Sequence, residues 1–384
     1  MSDNLKRHYA LEKSLKQLRP CEPKGHVARH IKTLALFIGG IIGSKKTHLP
    51  AVASHITDST LPQSRVRRLE RWVHNEGIDT KTYFLPYVDM LLRSLPHPTL
   101  ALVIDGSDVG RGCVALSVNV LYQRRALPLC WIVVAGKKGH LPEETHIQLL
   151  QEVALLLPKG RPVVFLGDGE FDGCDLQKTI QGLGWHYVLR TAKNVRLCDT
   201  SDGTTPETVS EESEWFSPTD LHLQPGNCHE LSDVLFTQQA YGPVLVAIVW
   251  EPTEERPLVL VTNFDFWHEA YRWYKKRFYI ETFFSDQKSR GFYLAHSHIS
   301  DPKHLHRLLI VTCLAYIWLV CLGAFVVCQG YLARIHRSNR CDWSLFHIGM
   351  NWLQHCLNQQ IDIWVDFKVP KYNDALNYTQ KSVG

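Results

Sequence analysis

Four side chains with complementary chemistry recur at helical spacing between residues 274 and 288. Tyr274, Arg277, Glu281 and Lys288 follow one another at intervals of three, four and seven positions. At about 100° per residue, a continuous helix would place all four within an arc of roughly 60°. Such a stripe suits a metal-dependent enzyme acting on nucleic acid, because the carboxylate can help to hold a metal while the cations bind phosphates. The alternative is an exposed amphipathic helix with ion pairs between successive turns.

The segment upstream of this stripe alternates between strand and helix patterns. Buried-type apolar runs predict five strands, and amphipathic periodicity predicts two helices between the later ones. The strands are expected at 100–105, 113–122, 127–136, 161–171 and 185–190, and the helices at 142–157 and 175–184. The order strand, strand, strand, helix, strand, helix, strand is that of the ribonuclease H-like fold, in which an antiparallel meander continues into parallel strands through helical crossovers.

Two carboxylates end strands that this order makes neighbours. Asp105 ends the first predicted strand, and Asp168 ends the fourth. Both should therefore emerge at one edge of the sheet, where open α/β sheets place their ligands, and the Glu281 helix can supply a third carboxylate there. Each aspartate precedes a glycine, so the alternative for either one is an ordinary turn residue.

Three converging carboxylates require cations, because like charges at close range raise one another's pKa values. Two Mg²⁺ ions bound by Asp105, Asp168 and Glu281 would satisfy this requirement and support phosphodiester chemistry. Mn²⁺ can substitute for Mg²⁺ in this prediction. Four nearby acids rank lower because they stand farther from the strand ends: Asp108, Glu170, Asp172 and Asp286.

The charge of the chain is concentrated at its N-terminus. The net charge is only +4, yet residues 1–75 hold 14 Lys and Arg against 5 Asp and Glu. Such a basic arm suggests an anionic polymer as partner, although a solvated helical surface would have the same composition. A predicted helix rich in arginine follows a polar turn, which is compatible with a helix-turn-helix reader of DNA. Its arginines are Arg65, Arg67, Arg68 and Arg71.

The remaining patterns complete an α/β fold, with a ribonuclease H-like catalytic core interrupted by a β-rich insertion and flanked by helical regions. The apolar run at 308–327 could pass for a membrane span, but we interpret it as a buried core helix. The 11 cysteines include no Cys-x-x-Cys pair, which favours thiols in a reducing cytoplasm. The predicted regions are 1–98 (basic, helical, DNA-binding), 99–190 (first part of the core), 191–264 (β-rich insertion), 265–295 (core helix with the third carboxylate) and 296–384 (helical, contributing to dimerisation).

Taken together, these motifs resemble the DDE transposases of the IS-four family of bacterial insertion sequences. The stripe matches that family's Tyr-(2)-Arg-(3)-Glu-(6)-Lys signature at every spacing, and Asp105 and Asp168 lie in sequences similar to its two aspartate motifs. The resemblance implies that Asp105, Asp168 and Glu281 are the catalytic metal ligands. It also implies that Tyr274, Arg277 and Lys288 hold phosphates near the point of cleavage.

The same resemblance implies cut-and-paste movement of DNA in the bacterial cytoplasm, in association with the nucleoid. A homodimer would pair two terminal inverted repeats, free their 3′-hydroxyls and join them to target DNA. Relatives that form a hairpin carry a tryptophan just before the strand that ends in Thr-Asn, whereas this chain has Pro257 and Leu258 there. Trp250 on the preceding strand is a candidate substitute, with packing in the β-rich segment as the alternative.

Three other functions remain open at this point. A metal-dependent nuclease of the same fold would share the carboxylates without joining DNA. A catalytically idle DNA-binding protein derived from a transposase would keep the fold, although all three carboxylates are present here. A membrane protein built on residues 308–327 is the third alternative.

Overall fold

The N-terminal region is helical, as its sequence predicts. The computed structural model describes residues 2–139, 141–201, 203–210, 213–337 and 341–371. Six helices precede the first strand: α1 (Asp3–Gln17), α2 (Gly25–Ser44), α3 (Leu49–Ala53), α4 (Pro62–His74), α5 (Thr80–Tyr83) and α6 (Leu85–Ser94). Proline at the first turn of α3, α4 and α6 suits these starts, because its missing N–H has no partner there in any helix.

The predicted order of strands and helices in the next region is confirmed. An antiparallel meander comes first, followed by two strands that run parallel to its first strand. The elements are β1 (Leu100–Gly110), β2 (Cys113–Tyr122), β3 (Arg125–Ala135), α7 (Glu143–Ala154), β4 (Val163–Gly167), α8 (Cys174–Gly182) and β5 (His186–Arg190). Every residue of β2 is buried. Because alternate side chains point to opposite faces, both faces of the sheet are covered there.

Strand direction determines which loops meet. Both β1 and β3 are antiparallel to β2, and β4 and β5 are parallel to β1. The carboxyl ends of these four strands therefore share one edge of the sheet. The prediction that Asp105 ends its strand is wrong in detail, because β1 continues to Gly110 along β2. Its parallel pairing with β4 nevertheless stops at Val103, two residues before Asp105.

Residues 191–264 contribute five more strands to the same sheet. They are β6 (Leu197–Asp199), β7 (Trp215–Phe216), β8 (Cys228–Phe236), β9 (Tyr241–Val249) and β10 (Leu258–Thr262). Antiparallel pairing of β10 with β5 joins them to the meander, so the ten strands take the order β3-β2-β1-β4-β5-β10-β9-β8-β6-β7. The β-rich segment thus extends the sheet that carries the two aspartates.

The predicted continuous helix from Tyr274 to Lys288 is wrong. The chain forms α9 (Trp267–Tyr274) and α10 (Tyr279–Gln287), separated by a turn at 275–278. Amides in and after this turn bond carbonyls three residues back, among them Arg277 N to Tyr274 O at 2.8 Å and Glu281 N to Phe278 O at 3.1 Å. This tighter winding breaks the register of a single α-helix, so the four signature residues do not form one stripe.

A long apolar helix organises the C-terminal region. Helix α11 (Pro302–Cys328) contacts α2, α4, α5 and β3, and it packs along α12 (Leu345–Asn358). Two described helices, α2 and α11, are long and apolar enough to cross a membrane. In their most apolar 18-residue stretches, 56% and 94% of the residues are buried. Residues 308–327 lie in the protein core, as the core-helix interpretation predicts. Residues 372–384 of the predicted C-terminal region lie outside the described residues.

A candidate active site at the shared strand edge

The two predicted aspartates meet at the edge where β1 and β4 separate. Asp105 lies on β1 with no exposed surface, and Asp168 follows the last residue of β4 and is partly exposed. Asp105 Oδ1 accepts a hydrogen bond from the amide of Gly106 at 2.7 Å. Asp168 Oδ1 accepts one from the amide of Glu170 at 3.2 Å. Local backbone bonds therefore orient both carboxylates.

Arg277 connects the two carboxylates through a single nitrogen. Its Nη1 lies 3.4 Å from Asp105 Oδ2 and 3.9 Å from Asp168 Oδ2. The turn between α9 and α10 carries this arginine into the sheet edge, where only 6% of its surface remains exposed. The break in the predicted helix therefore brings Arg277 to the aspartates.

Lys138 is a site residue that was not predicted from the sequence. Its Nζ lies 2.6 Å from Asp105 Oδ1, and its side chain is 40% exposed. Lys138 follows β3, whose carboxyl end lies at the shared edge, and it stands between Gly136 and Gly139, both with positive φ. Glycines flanking a lysine directly after a buried strand are a signal that could have identified it, because they allow the chain to turn back across the edge.

The charges at this edge influence one another. Burial raises the pKa of the Asp105 carboxyl, and Asp168 acts in the same direction, while Lys138 and Arg277 oppose both. Burial would lower the pKa of the Lys138 ammonium, but its hydrogen bond to Asp105 and the charges of Asp105, Asp168 and Glu281 raise it. Lys138 therefore stays charged at neutral pH, within electrostatic reach of all three predicted carboxylates.

Unlike the two aspartates, Glu281 has no ion pair with Arg277 or Lys138 among the described residues. It lies in the first turn of α10 and is exposed. In the described part of the chain, no group of three or more His, Cys, Asp or Glu side chains is close enough to hold one metal ion. The side chains that stand between the carboxylates are Lys138 and Arg277.

The four rival acids have other surroundings. Asp286 pairs with Arg125 at 2.9 Å, and Asp172 accepts a hydrogen bond from Thr191 at 2.6 Å. Glu170 lies behind Asp168, where burial and the Asp168 charge raise its pKa. Asp108 is exposed on β1. Glu170 has Asp105, Asp168 and Lys138 as electrostatic neighbours.

The other two signature residues, Tyr274 and Lys288, lie in different surroundings. Tyr274 is 3% exposed, and its electrostatic neighbours include Arg277, Arg190 and Asp168, so it belongs to the Asp168 side of the site. Lys288 follows α10 and lines a small cavity with Ser107 and Ser117. Ser107 lies two residues beyond Asp105 on the same face of β1, so Lys288 stands one strand repeat away from the carboxylate.

The α4 arginines belong to the helical region, where α4 packs against α2, α3 and α11. Arg65 and Arg68 pair with Asp58 at 3.1 and 2.7 Å. Arg67 and Arg71 are exposed. Among the α4 arginines, Arg67 and Arg71 therefore have no ion pair with a described carboxylate.

Trp250 forms a hydrogen bond within the turn after β9. Its indole N–H donates to the carbonyl of Glu254 at 2.9 Å. An open groove beside this turn leads to Tyr274 and is also lined by Arg190, Arg256 and Phe278. Phe278, which is 58% exposed, is the aromatic side chain that this groove presents to solvent.

Comparison with known proteins assigns the family. The family model described as "Transposase DDE domain" matches residues 96–318, which is more than half of the chain. The chain belongs to this family. The match begins just before β1 and ends within α11, so it includes both aspartates, Lys138 and the turn that carries Arg277.

No curated protein matches this DDE-domain chain. The cryo-EM structure of the piggyBac transposase synaptic complex with hairpin DNA is similar with a TM-score of 0.43 and 10% sequence identity, over 97% of this chain and 84% of that chain.

Proposed function

We propose that this protein is a cut-and-paste DNA transposase with a ribonuclease H-like core, in which Asp105, Asp168 and Glu281 are the catalytic carboxylates. The observation that carries the proposal is the contact of one Arg277 nitrogen with both Asp105 and Asp168, at 3.4 and 3.9 Å. The DDE-domain match over the same residues supports it. So does the electrostatic link of Lys138 to all three acids.

The site fits divalent cations by its donor chemistry. A fully buried carboxylate with two cationic side chains beside it already requires positive charge, and carboxylate oxygens are the ligands that Mg²⁺ prefers. Asp105, Asp168 and Glu281 would hold two Mg²⁺ ions, or Mn²⁺ in their place. When bound, such ions supply activation of an attacking oxygen and stabilisation of a leaving oxygen.

The chain's own residues would bind and orient the DNA. Arg277 has a planar fork suited to bidentate phosphate binding, and it would exchange its carboxylate contacts for a phosphate. Tyr274, buried beside Arg277, would hold the guanidinium in place. Lys138 would leave Asp105 in the same exchange, because its partly exposed side chain can turn toward solvent and phosphate. Lys288 would contact the backbone farther along the strand.

The proposed partners are the terminal inverted repeats and target DNA, bound by a homodimer in the bacterial cytoplasm in association with the nucleoid. The exposed Arg67 and Arg71 of α4 would contribute phosphate contacts outside the catalytic edge. Arg65 and Arg68 would do so only by exchanging Asp58 for phosphate. Phe278 in the groove is a better placed aromatic than Trp250 for stacking on an unpaired base, should a hairpin form.

The test uses the purified protein, Mg²⁺, labelled duplexes from the DNA that flanks the gene, and a target plasmid. We expect cleavage at the repeat and joined products in the plasmid. Asp168→Asn should lower both by roughly 10³-fold or more, because it removes a charge that holds the metal, while end binding persists.

Asp108→Asn is the matched control, since it removes an exposed acid from the same edge. Hydrolysis without joining would replace the proposal with a nuclease. Cleavage that persists in Asp168→Asn would show that the catalytic carboxylate has been assigned incorrectly.

A further inference from the structure

A second charged region lies outside the sheet-edge site, in a cavity between the N-terminal and C-terminal helices. The cavity measures about 430 Å³ and is lined by α1, the end of α2, the segment after α10, and α12. This volume falls in the usual range of small-molecule sites. Neither the catalytic carboxylates nor the signature residues contribute to its walls.

Arg7 is the buried charge in this cavity. It is 5% exposed, and its Nη2 donates to Asn4 Oδ1 at 2.6 Å. Its Nε has no hydrogen-bond partner among the described residues. Burial lowers the pKa of Arg7 to about 10, with Asp3 opposing the shift, so the guanidinium remains charged at neutral pH. A buried cation with an unsatisfied N–H is costly unless something outside the chain pairs with it.

A glycine allows the polar groups of the cavity to converge. A Cβ at Gly43 would lie 2.4 Å from Arg7 Nη2 and 2.8 Å from His55 Nδ1. Both side chains therefore approach the end of α2 only because position 43 has no side chain. His55, in the turn after α3, and Arg7, on α1, therefore both lie beside the end of α2.

Most of the charged residues in the wall are basic. Lys45 and Arg290 are exposed cations at the rim, and His347 lies on α12. Asp3 is the acidic residue of the cavity lining. With the histidines neutral, Arg7, Lys45 and Arg290 against Asp3 leave a formal charge of +2, which a phosphate dianion would balance.

We propose that this Arg7 cavity binds a phosphate group through Arg7, Lys45, His55 and Arg290. Guanidinium forks match phosphate oxygens in geometry, and Arg7 lines this cavity together with Lys45, His55 and Arg290. The phosphate is carried either by the DNA backbone or by a small free molecule, and the two sources share this chemistry. The proposal goes beyond the transposition chemistry and does not rest on it.

The test measures binding of inorganic phosphate to the full chain. Thermal unfolding and titration calorimetry are run in a chloride buffer held at constant ionic strength. We expect saturable binding to the wild type, with a rise in Tm of about 1–3 °C. Arg290→Gln and Arg7→Met should both lose the saturable part, while Arg93→Gln, which removes an exposed arginine elsewhere, should retain it.

A short random-sequence DNA duplex then separates the two sources. If the DNA backbone is the natural ligand, the duplex displaces phosphate, and Arg290→Gln lowers the salt dependence of duplex binding by about one unit. If the ligand is a free molecule, phosphate stays bound in the presence of duplex, and Arg290→Gln leaves duplex binding unchanged. Either result supports the phosphate site.

Two results would overturn the site. The first is the absence of saturable phosphate binding by the wild type, and the second is equal binding by the wild type, Arg290→Gln and Arg7→Met. Asp168→Asn should bind phosphate like the wild type. A failure of the proposed transposase activity would therefore leave this measurement unaffected.

Discussion

The sheet edge and the Arg7 cavity each contain a buried charge, but only the sheet edge supplies its partners. Asp105 is fully buried and has Lys138 at 2.6 Å and Arg277 at 3.4 Å. Arg7 is almost as deeply buried and has one neutral partner, Asn4. The carboxylate is neutralised within the chain, whereas the guanidinium is not.

This difference distinguishes two ways in which a protein can prepare a charged site. At the sheet edge, internal cations lie beside the carboxylates, and under the proposed function they would be exchanged when a metal or phosphate binds. In the Arg7 cavity, the proposed phosphate would meet a cation that has a hydrogen bond to Asn4 and the charge of Asp3 nearby but no ion pair among the described residues. Removing one partner of the buried pair at the sheet edge should therefore lower the free energy of unfolding. Removing the charge of Arg7, which has no ion pair, should not.

The largest effect on stability should come from Asp105→Asn. This change leaves the buried Arg277 with only the more distant Asp168 carboxylate, while the partly exposed Lys138 can turn to solvent. Because burial raises the pKa of Asp105, the neutral amide also removes a desolvation cost, so we expect the free energy of unfolding to fall by only about 1–2 kcal/mol. Urea denaturation of the metal-free protein measures it, with Asp108→Asn as the control on the same strand. A loss as small as that of the control would mean that the aspartate and its cations are not coupled.

Lys138→Met tests whether the internal cation competes with metal. Without the ammonium at Asp105 Oδ1, Mn²⁺ should bind in the absence of DNA about tenfold more tightly, as measured by calorimetry. Lys137→Met, the neighbouring exposed lysine, should leave the affinity unchanged. Weaker Mn²⁺ binding by Lys138→Met would contradict the exchange and make Lys138 a support of the metal site.

Arg7→Met should have the opposite effect on stability to Asp105→Asn. In phosphate-free buffer the free energy of unfolding should be unchanged or higher by about 1 kcal/mol, because an unpaired buried charge is removed. Arg307→Met is the matched control. Arg307 is also buried and, like Arg7, donates to a neutral oxygen, the carbonyl of Val73 at 3.0 Å, but none of its buried nitrogens lacks a partner among the described residues, so its loss should destabilise. Equal losses in both variants would remove the distinction between an arginine with a buried unpartnered N–H and one without.

The same distinction predicts a smaller effect on the surface of α4. Arg67→Gln and Arg71→Gln should each reduce the salt dependence of DNA binding by about one unit, because these exposed arginines are free to meet phosphate. Arg65→Gln should reduce it less, since Arg65 is already paired with Asp58. Anisotropy titrations over a range of salt concentrations compare the three, and equal slopes would contradict the assignment.

Much of this arrangement could be predicted from the sequence because it depends on strand order. Apolar runs identified the meander and the parallel strands, and strand direction then brought Asp105 and Asp168 to one edge. The burial of residues 308–327 also followed from their all-round apolar character.

Features that depend on side-chain convergence could not be predicted in this way. Periodicity gave a continuous helix through Arg277, but three-residue hydrogen bonding at 275–278 breaks it. Lys138 had the appearance of an exposed loop lysine, and Arg7 that of one basic residue among many on α1. Their roles depend on residues distant in sequence, Asp105 for Lys138 and His55 for Arg7. The glycines around Lys138 indicate a turn at that position but do not identify its partner.

The most direct test of the central claim is anomalous diffraction from crystals of the protein soaked with Mn²⁺. We expect anomalous peaks for Mn²⁺ coordinated by Asp105, Asp168 and Glu281. Lys138 and Arg277 should then no longer contact the two aspartates. An Mn²⁺-saturated crystal with no peak at this edge, and with Lys138 still on Asp105, would contradict it.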